Sequence, residues 1–161
     1  MSSIVLLDTS VYLNILHVPG CDQDRDEILN LFQWFIENGD YFLLPMATIW
    51  ETGNHIADLR TGQRRREYAQ KLLADVTNAI NGDVPYRPTH FPDQKEFLLW
   101  LKDFPGRVME QKSTKPGGEG LSLSDLSIIK EWERTRSQHT MTRVRVWSLD
   151  GDLQGYDTGQ A

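Results

Sequence analysis

Cysteine and long apolar runs are the scarcest features of this 161-residue sequence. Cys21 is the only cysteine, which excludes an internal disulfide and a zinc site built from several cysteines. A lone cysteine fits a reducing compartment, so a cytoplasmic location is expected. No apolar stretch approaches the roughly 20 residues that span a bilayer, and we expect no membrane partner. Because no basic residue precedes the first apolar run, a secretory leader is not expected.

Positive charge is also scarce. The 17 lysines and arginines are outnumbered by 23 aspartates and glutamates, which gives a formal net charge of −6. This balance argues against a broad, non-specific nucleic-acid surface. It does not exclude a nuclease, because acids clustered around a metal can coexist with a local basic patch. The length predicts a single domain over residues 1–161, in which 154–161 are expected to form a weakly ordered tail.

The apolar pattern predicts an α/β domain with a central parallel sheet. Short runs rich in branched or aromatic side chains indicate buried strands at residues 4–7, 41–44 and 144–149. Apolar residues at helical spacing predict helices over 11–16, 22–37, 46–59, 63–80, 93–102 and 121–136. Proline and glycine predict loops over 83–92 and 104–120. Helices between successive strands give three layers, α/β/α.

Four carboxylates stand at comparable places in this pattern. Asp8 follows the first strand and Asp150 follows the last, while Glu51 and Asp125 lie on helices that begin near the same sheet edge. That edge is where ligands bind in open α/β sheets. Each acid also has a structural explanation, as a helix cap, a capping-box partner or a turn residue. Those explanations do not account for the convergence of all four on one edge.

Motifs of other phosphate-handling proteins are absent. The sequence has no Gly-x-x-x-x-Gly-Lys loop, so a phosphate-cradling P-loop is excluded. A haloacid-dehalogenase phosphatase would need a second aspartate two positions after Asp8, where Ser10 stands. His55 lies four residues after Glu51 on the same helix face and is a further candidate metal ligand. A packing or solvated histidine is the commoner explanation of such a pair.

Four short segments follow one another in a specific order: LLDTSV at 6–11, PMATIWE at 45–51, LSD at 123–125 and SLDGDL at 148–153. In that order they resemble the motifs of a PIN domain. PIN domains are metal-dependent nucleases that include the toxin ribonucleases of bacterial toxin–antitoxin pairs. The resemblance spans nearly the whole chain, although those toxins are usually shorter. It implies a three-layer α/β/α PIN-like fold with a central parallel sheet.

The resemblance also implies an acidic, catalytic cluster that binds Mg²⁺ or Mn²⁺ and consists of Asp8, Glu51, Asp125 and Asp150. Carboxylate oxygens are the ligands that these cations prefer. Asp152 would be an additional ligand, or a contact to metal-bound water. Ser148 stands where the family often has threonine, and it is a candidate substrate contact.

The activity implied by the resemblance is an endoribonuclease that leaves a 5′-phosphate and a 3′-hydroxyl. RNA would be its substrate, an antitoxin protein a partner, and a homodimer a candidate assembly. The alternative hypothesis is a PIN-like binding or assembly subunit that does not cut.

Arg64, Arg65 and Arg66 form the densest basic run, for which we predict contact with the RNA backbone. The alternative is a solvated helix face whose charge is balanced by three glutamates: Glu67, Glu131 and Glu133. In that case the backbone contact would fall to a second basic set, Arg134, Arg136, Arg143 and Arg145. The five tryptophans are predicted to belong to the core rather than to stack on bases.

Overall fold

The computed structural model describes residues 2–110 and 119–159. In chain order the elements are β1 (Ser3–Leu7), α1 (Thr9–Leu16), α2 (Arg25–Glu37), β2 (Tyr41–Leu44), α3 (Met46–Ala57), α4 (Gly62–Asn81), β3 (Tyr86–Pro88), α5 (Gln94–Arg107), α6 (Leu123–Gln138), β4 (Arg143–Trp147) and α7 (Gly151–Gln154). Within those ranges, no helix combines the length and the apolar character needed to cross a membrane.

The four described strands form one sheet in the order β3-β2-β1-β4, and every pairing is parallel. This confirms the predicted central parallel sheet. The predicted loop over 83–92 is wrong in part, because β3 lies inside it and pairs Phe42 with Tyr86. β3 has three residues and ends in Pro88, which an edge strand tolerates because its outer side needs no hydrogen-bond donor. Its composition therefore resembles that of a loop.

β1 lies in the middle of the sheet and is buried on both faces, as its apolar run predicts. Val5 and Leu7 pack into one core with residues of α1, α2 and α4. Ile4 and Leu6 point to the opposite face and pack into a second core with residues of α6 and β4. Because successive side chains of a strand alternate between faces, this one strand joins both cores and fixes the three-layer arrangement.

α5 is longer than predicted, and it takes in Phe104, Pro105 and Gly106 from the predicted loop over 104–120. Phe104 packs against the core on the α6 face of the sheet, and its carbonyl accepts a hydrogen bond from the backbone N–H of Val108. Packing therefore outweighs the helix-breaking tendency of the proline in the last turn. Residues 111–118, which the same prediction covers, lie outside the described residues.

Two tryptophans depart from the prediction that all five belong to the core. The residue exposure of Trp34 is 57% and that of Trp50 is 63%, whereas Trp100 and Trp132 are buried. Trp50 lies on α3 one position before Glu51, and its ring contacts that of Phe91 at a centroid distance of 5.4 Å.

The segment after α7 runs antiparallel to β4 along its outer edge. The backbone N–H of Val146 donates to the carbonyl of Tyr156 at 2.9 Å, and that of Thr158 donates to the carbonyl of Val144 at 3.0 Å. Arg143 forms an ion pair with Asp157 at 2.6 Å. The residues in this segment, 155–159, belong to the tail over 154–161 that the sequence predicts to be weakly ordered.

Candidate active site

The sheet order creates a crevice at one edge. The chain passes from β1 to β2 and β3 on one side, and it returns to β4 on the other side of β1. β1 and β4 are parallel neighbours, so their carboxyl ends meet where the direction of winding reverses. Open α/β sheets bind ligands at such switch points. Asp8 and Ser148 are the first residues after these two strands.

Asp8 occupies the N-cap position of α1, yet its side chain makes no capping hydrogen bond. Its Oδ2 instead accepts hydrogen bonds from the hydroxyls of Ser148, at 2.7 Å, and Ser10, at 2.9 Å. Asp8 is 5% exposed. Burial raises the pKa of this carboxyl, and the nearby charge of Asp125 raises it further. The hydrogen bonds from the two serines and from the Thr9 backbone lower the pKa and so oppose part of that rise. The carboxylate is thus fixed in place and would gain from a nearby cation.

Glu51 is tied to the start of α1, directly after β1, by a short hydrogen bond that the Thr9 hydroxyl donates to its Oε2. The capping-box explanation of Glu51 does not hold, because Pro45 occupies the N-cap of α3. Thr48, its supposed partner, is buried and donates its hydroxyl hydrogen to the carbonyl of Leu7 at 2.8 Å. Both threonines therefore fasten α3 to the strand end that carries Asp8.

Asp125 and Asp150 have the structural roles expected of cap and turn residues, and both also line the cleft. The backbone N–H of Asp125 donates to the Ser122 hydroxyl at 3.0 Å, which caps α6. Asp150 Oδ1 accepts from the backbone N–H of Asp152 at 3.0 Å, which caps α7. These bonds hold the starts of two helices against the crevice, so a structural role does not compete with a role in the site.

The crevice is an open cleft of about 470 Å³ whose walls include the four predicted acids. Its lining residues are Asp8, Thr9, Ser10, Leu13, Glu51, Asn54, His55, Asp125 and Asp150. Ser148 is buried behind Asp8 and also accepts a hydrogen bond from the Asp150 backbone N–H at 2.9 Å. Asp152 is exposed and does not line the cleft.

Sequence reasoning missed three polar residues of the cleft: Thr9, Ser10 and Asn54. Ser10 donates a hydrogen bond to Asp8. Thr9 holds Glu51, and its place next to Asp8 in the first motif was the available signal. Asn54 lies three residues after Glu51, one turn along the same face of α3, and helical spacing from Glu51 could have identified it. His55 also lines the cleft, and its Nδ1 lies 4.0 Å from the Sγ of Cys21.

Within residues 2–110 and 119–159, no group of three or more histidine, cysteine, aspartate or glutamate side chains is close enough together to hold a metal ion. The four carboxylates share the walls of one cleft without converging on one point. Their ligand chemistry nonetheless fits a hard divalent cation. Burial and the charge of Asp125 both raise the pKa of Asp8, so the ionised form of Asp8 is disfavoured in the cleft when no cation is bound.

The arginine run begins α4 and is exposed. Arg64 lines a second open cleft of about 510 Å³, together with Arg60 and Asp58. Asp58 caps the end of α3 and lies two helical turns beyond Glu51, so the two clefts follow one another along the same helix. Arg65 donates to the carbonyl of Leu59 at 2.7 Å, and neither Arg65 nor Arg66 lines the cleft.

The second basic set is already engaged within the fold. Two of its members form ion pairs and two lie over aromatic rings: Arg134 with Glu96, Arg143 with Asp157, Arg136 over Trp132 and Arg145 over Phe35. Arg64 is therefore the better placed of the predicted backbone contacts.

Comparison with known proteins gives a likeness in fold. No protein-family model matches the sequence, and no curated protein matches it. The fold is similar to that in the crystal structure of FitAcB from Neisseria gonorrhoeae, with a TM-score of 0.55 and coverage of 94% of this chain and 91% of that chain. The two sequences are 18% identical, so the likeness concerns the fold alone. Together with the parallel sheet, it confirms the predicted fold class, a three-layer α/β/α domain with a central parallel sheet.

Proposed function

We propose that this protein is a metal-dependent endoribonuclease of the PIN class, similar to the toxin ribonucleases. The observation that carries the proposal is the cleft at the switch point, whose walls include Asp8, Glu51, Asp125 and Asp150. Four carboxylates from four separate segments line one crevice at the edge where such folds bind ligands. The PIN-like fold supports the same conclusion.

In this proposal the four carboxylates would hold Mg²⁺ or Mn²⁺ after drawing closer together around the cation than they lie in the structure. When bound, the cation would activate a water molecule and stabilise the charge that develops on the phosphate. The contribution of the chain is to orient the ligands. Two serine hydroxyls fix Asp8, and the Thr9 hydroxyl fixes Glu51. Such hydrogen bonds to a ligating carboxylate usually set its position and its basicity.

The other predicted site residues receive different roles. Ser148 is a positioning residue, because it is buried and bonded to Asp8. Asp152 lies outside the cleft, so it is a candidate contact to metal-bound water rather than a ligand. Arg64 binds the backbone of an RNA strand that leaves the acidic cleft along α3. On the strength of the PIN resemblance, the proposal also includes an antitoxin protein as a partner, a homodimeric assembly and a cytoplasmic location.

The decisive experiment replaces Asp125 by Asn, which removes a charge and keeps the shape. Cleavage of an end-labelled single-stranded RNA should fall by more than about 100-fold in the presence of Mn²⁺, since even indirect perturbation of metal ligands costs 10–100-fold. Asp83→Asn is the matched control, because Asp83 is an exposed acid outside the cleft. Circular dichroism checks that both variants fold.

Cleavage by Asp125→Asn at the wild-type rate would show that Asp125 only shapes the start of α6. A wild-type protein that binds RNA and does not cut it would favour the alternative of a PIN-like binding subunit.

A further inference from the structure

A separate pocket lies beside the N-terminal half of α3 and differs in character from the acidic cleft. It has a volume of about 250 Å³ and lies between α3, the segment before α5, α5 and α6. Its walls include the rings of Trp50, Phe91, Phe97 and Trp100. Glu131 of α6 belongs to the same wall and is the sole titratable residue among those that line the pocket.

Glu131 is 1% exposed, which corrects its interpretation as a solvated residue that balances surface arginines. Its Oε1 accepts a hydrogen bond from the Thr89 hydroxyl at 2.6 Å and lies 3.7 Å from Nη2 of Arg134. Its Oε2 is also buried, and no described residue donates a hydrogen bond to it. A buried acceptor without a donor is costly and therefore rare in native proteins.

The structural role of Glu131 accounts for one of its two oxygens. The Thr89 hydroxyl bonds Oε1 and also accepts a hydrogen bond from the backbone N–H of Met46 at 3.2 Å, which connects α6 to the start of α3. This connection would remain if Oε2 were absent. The second oxygen therefore has no structural explanation among the contacts of the described residues.

We propose that this pocket binds a small primary amine carrying one aromatic ring, whose ammonium group donates to Oε2 of Glu131. The proposal goes beyond the nuclease activity and does not depend on it.

Three features of the pocket select this class of ligand. Its aromatic walls favour an aromatic ring, which buries a large apolar area and packs edge to face or offset. An ammonium group is attracted both by the faces of those rings and by a carboxylate. Its volume lies just below the usual range for drug-sized ligands, which limits the occupant to about one ring and a short chain.

The test is calorimetric titration of the full chain with three probes of one shape: 2-phenylethylamine, 2-phenylethanol and 3-phenylpropionate. Burial raises the pKa of Glu131 to about 7. The titration is therefore done at pH 8, above that value, where the amine is charged and Glu131 is mostly ionised. The amine should bind at least about 10-fold more tightly than the alcohol. The acid should not bind measurably. Equal affinities for amine and alcohol, or no binding of the amine up to millimolar concentration, would overturn the proposal.

Two variants locate the binding. In Glu131→Gln, which keeps the shape of the side chain, the preference for the amine over the alcohol should disappear; an unchanged preference would overturn the proposal. Trp50→Ala removes an exposed wall and should weaken the binding of both probes at least about 5-fold. Trp34→Ala is the matched control, since Trp34 is similarly exposed and lies on α2 outside the pocket. A loss of binding in Trp34→Ala equal to that in Trp50→Ala would overturn the location. None of these measurements depends on RNA cleavage.

Discussion

Asp8 and Glu131 are both buried carboxyls whose pKa is raised mainly by burial, but their surroundings are opposite in character. Asp8 lines a polar cleft with three other carboxylates, and two serines bond a single oxygen of it. Glu131 is the one carboxyl among the residues that line an aromatic pocket. One of its oxygens accepts a hydrogen bond from Thr89 and lies 3.7 Å from Arg134. Burial alone therefore does not indicate what a carboxyl binds. Several acids together favour a divalent cation, whereas one acid among rings favours an organic cation.

The largest expected effect is on stability and arises from Glu131. Its pKa in the folded protein is about 7, above the ordinary value of 4.5. Its stabilising contribution is thus complete below about pH 4.5 and is lost as the pH rises through 7. The loss amounts to roughly 3 kcal/mol, because each pKa unit corresponds to about 1.4 kcal/mol. Glu131→Gln cannot ionise, so its free energy of unfolding should fall less between pH 5 and pH 8.

Urea unfolding at both pH values measures this difference. Glu67→Gln is the control, since Glu67 is exposed on α4 and its replacement should leave the wild-type pH dependence intact. The raised pKa of Asp8 acts in the same direction, so a smaller pH dependence should remain in Glu131→Gln. Identical pH dependence in Glu131→Gln and wild type would show that Glu131 is solvated in solution.

The second-largest expected effect concerns Asp8 and is measured through metal binding. Mn²⁺ at about 100 times its dissociation constant should stabilise the wild-type protein by about 2.7 kcal/mol. For a chain of this size, that corresponds to a rise of about 5–10 °C in melting temperature. Asp8→Asn should show little of this shift, and Asp83→Asn should show all of it. An equal shift in Asp8→Asn and wild type would remove Asp8 from the metal site.

The contrast between the two carboxyls also shows how far the sequence could be interpreted. The acids of the cleft follow apolar runs or lie on helices that begin near the same sheet edge, so their common edge could be predicted once the strands were assumed to be parallel. Glu131 lies in the middle of α6 among charged neighbours, and only the packing of α5 and the segment before it buries that side chain. The exposure of Trp50 could not be predicted either, because a helical stripe does not show where a neighbouring helix ends.

The order of the strands was likewise beyond the sequence. β3 pairs through backbone groups alone and has too few residues for a periodic pattern. The position of β4 beside β1 depends on the connection through α5 and α6, which no local pattern encodes. The crevice between β1 and β4 could therefore be located only once the strand order was known.

The third effect separates a positioning residue from a ligand. Ser148→Ala removes one of the two hydroxyls that hold Asp8 and leaves its charge. The affinity for Mn²⁺ should fall about 10-fold, within the range for partners that orient metal ligands. The wild-type melting shift should return when the Mn²⁺ concentration is raised about 10-fold, whereas Asp8→Asn should not recover it. Unchanged affinity in Ser148→Ala would show that Ser10 alone is sufficient to orient Asp8.

The smallest effect concerns the path of RNA away from the acidic cleft. Arg64 lines the neighbouring cleft. Arg65 donates a hydrogen bond to the carbonyl of Leu59, and Arg66 does not line that cleft. Binding of single-stranded RNA should be measured in an Asp125→Asn background at several salt concentrations. Arg64→Gln should reduce the slope of log affinity against log salt by about 0.7, the value for one phosphate contact to a single strand. Arg66→Gln is the matched control, since both replacements keep helix propensity similar. It should change the slope less, because Arg66 does not line the cleft. Equal slopes in both variants and the parent would mean that this run only solvates the start of α4.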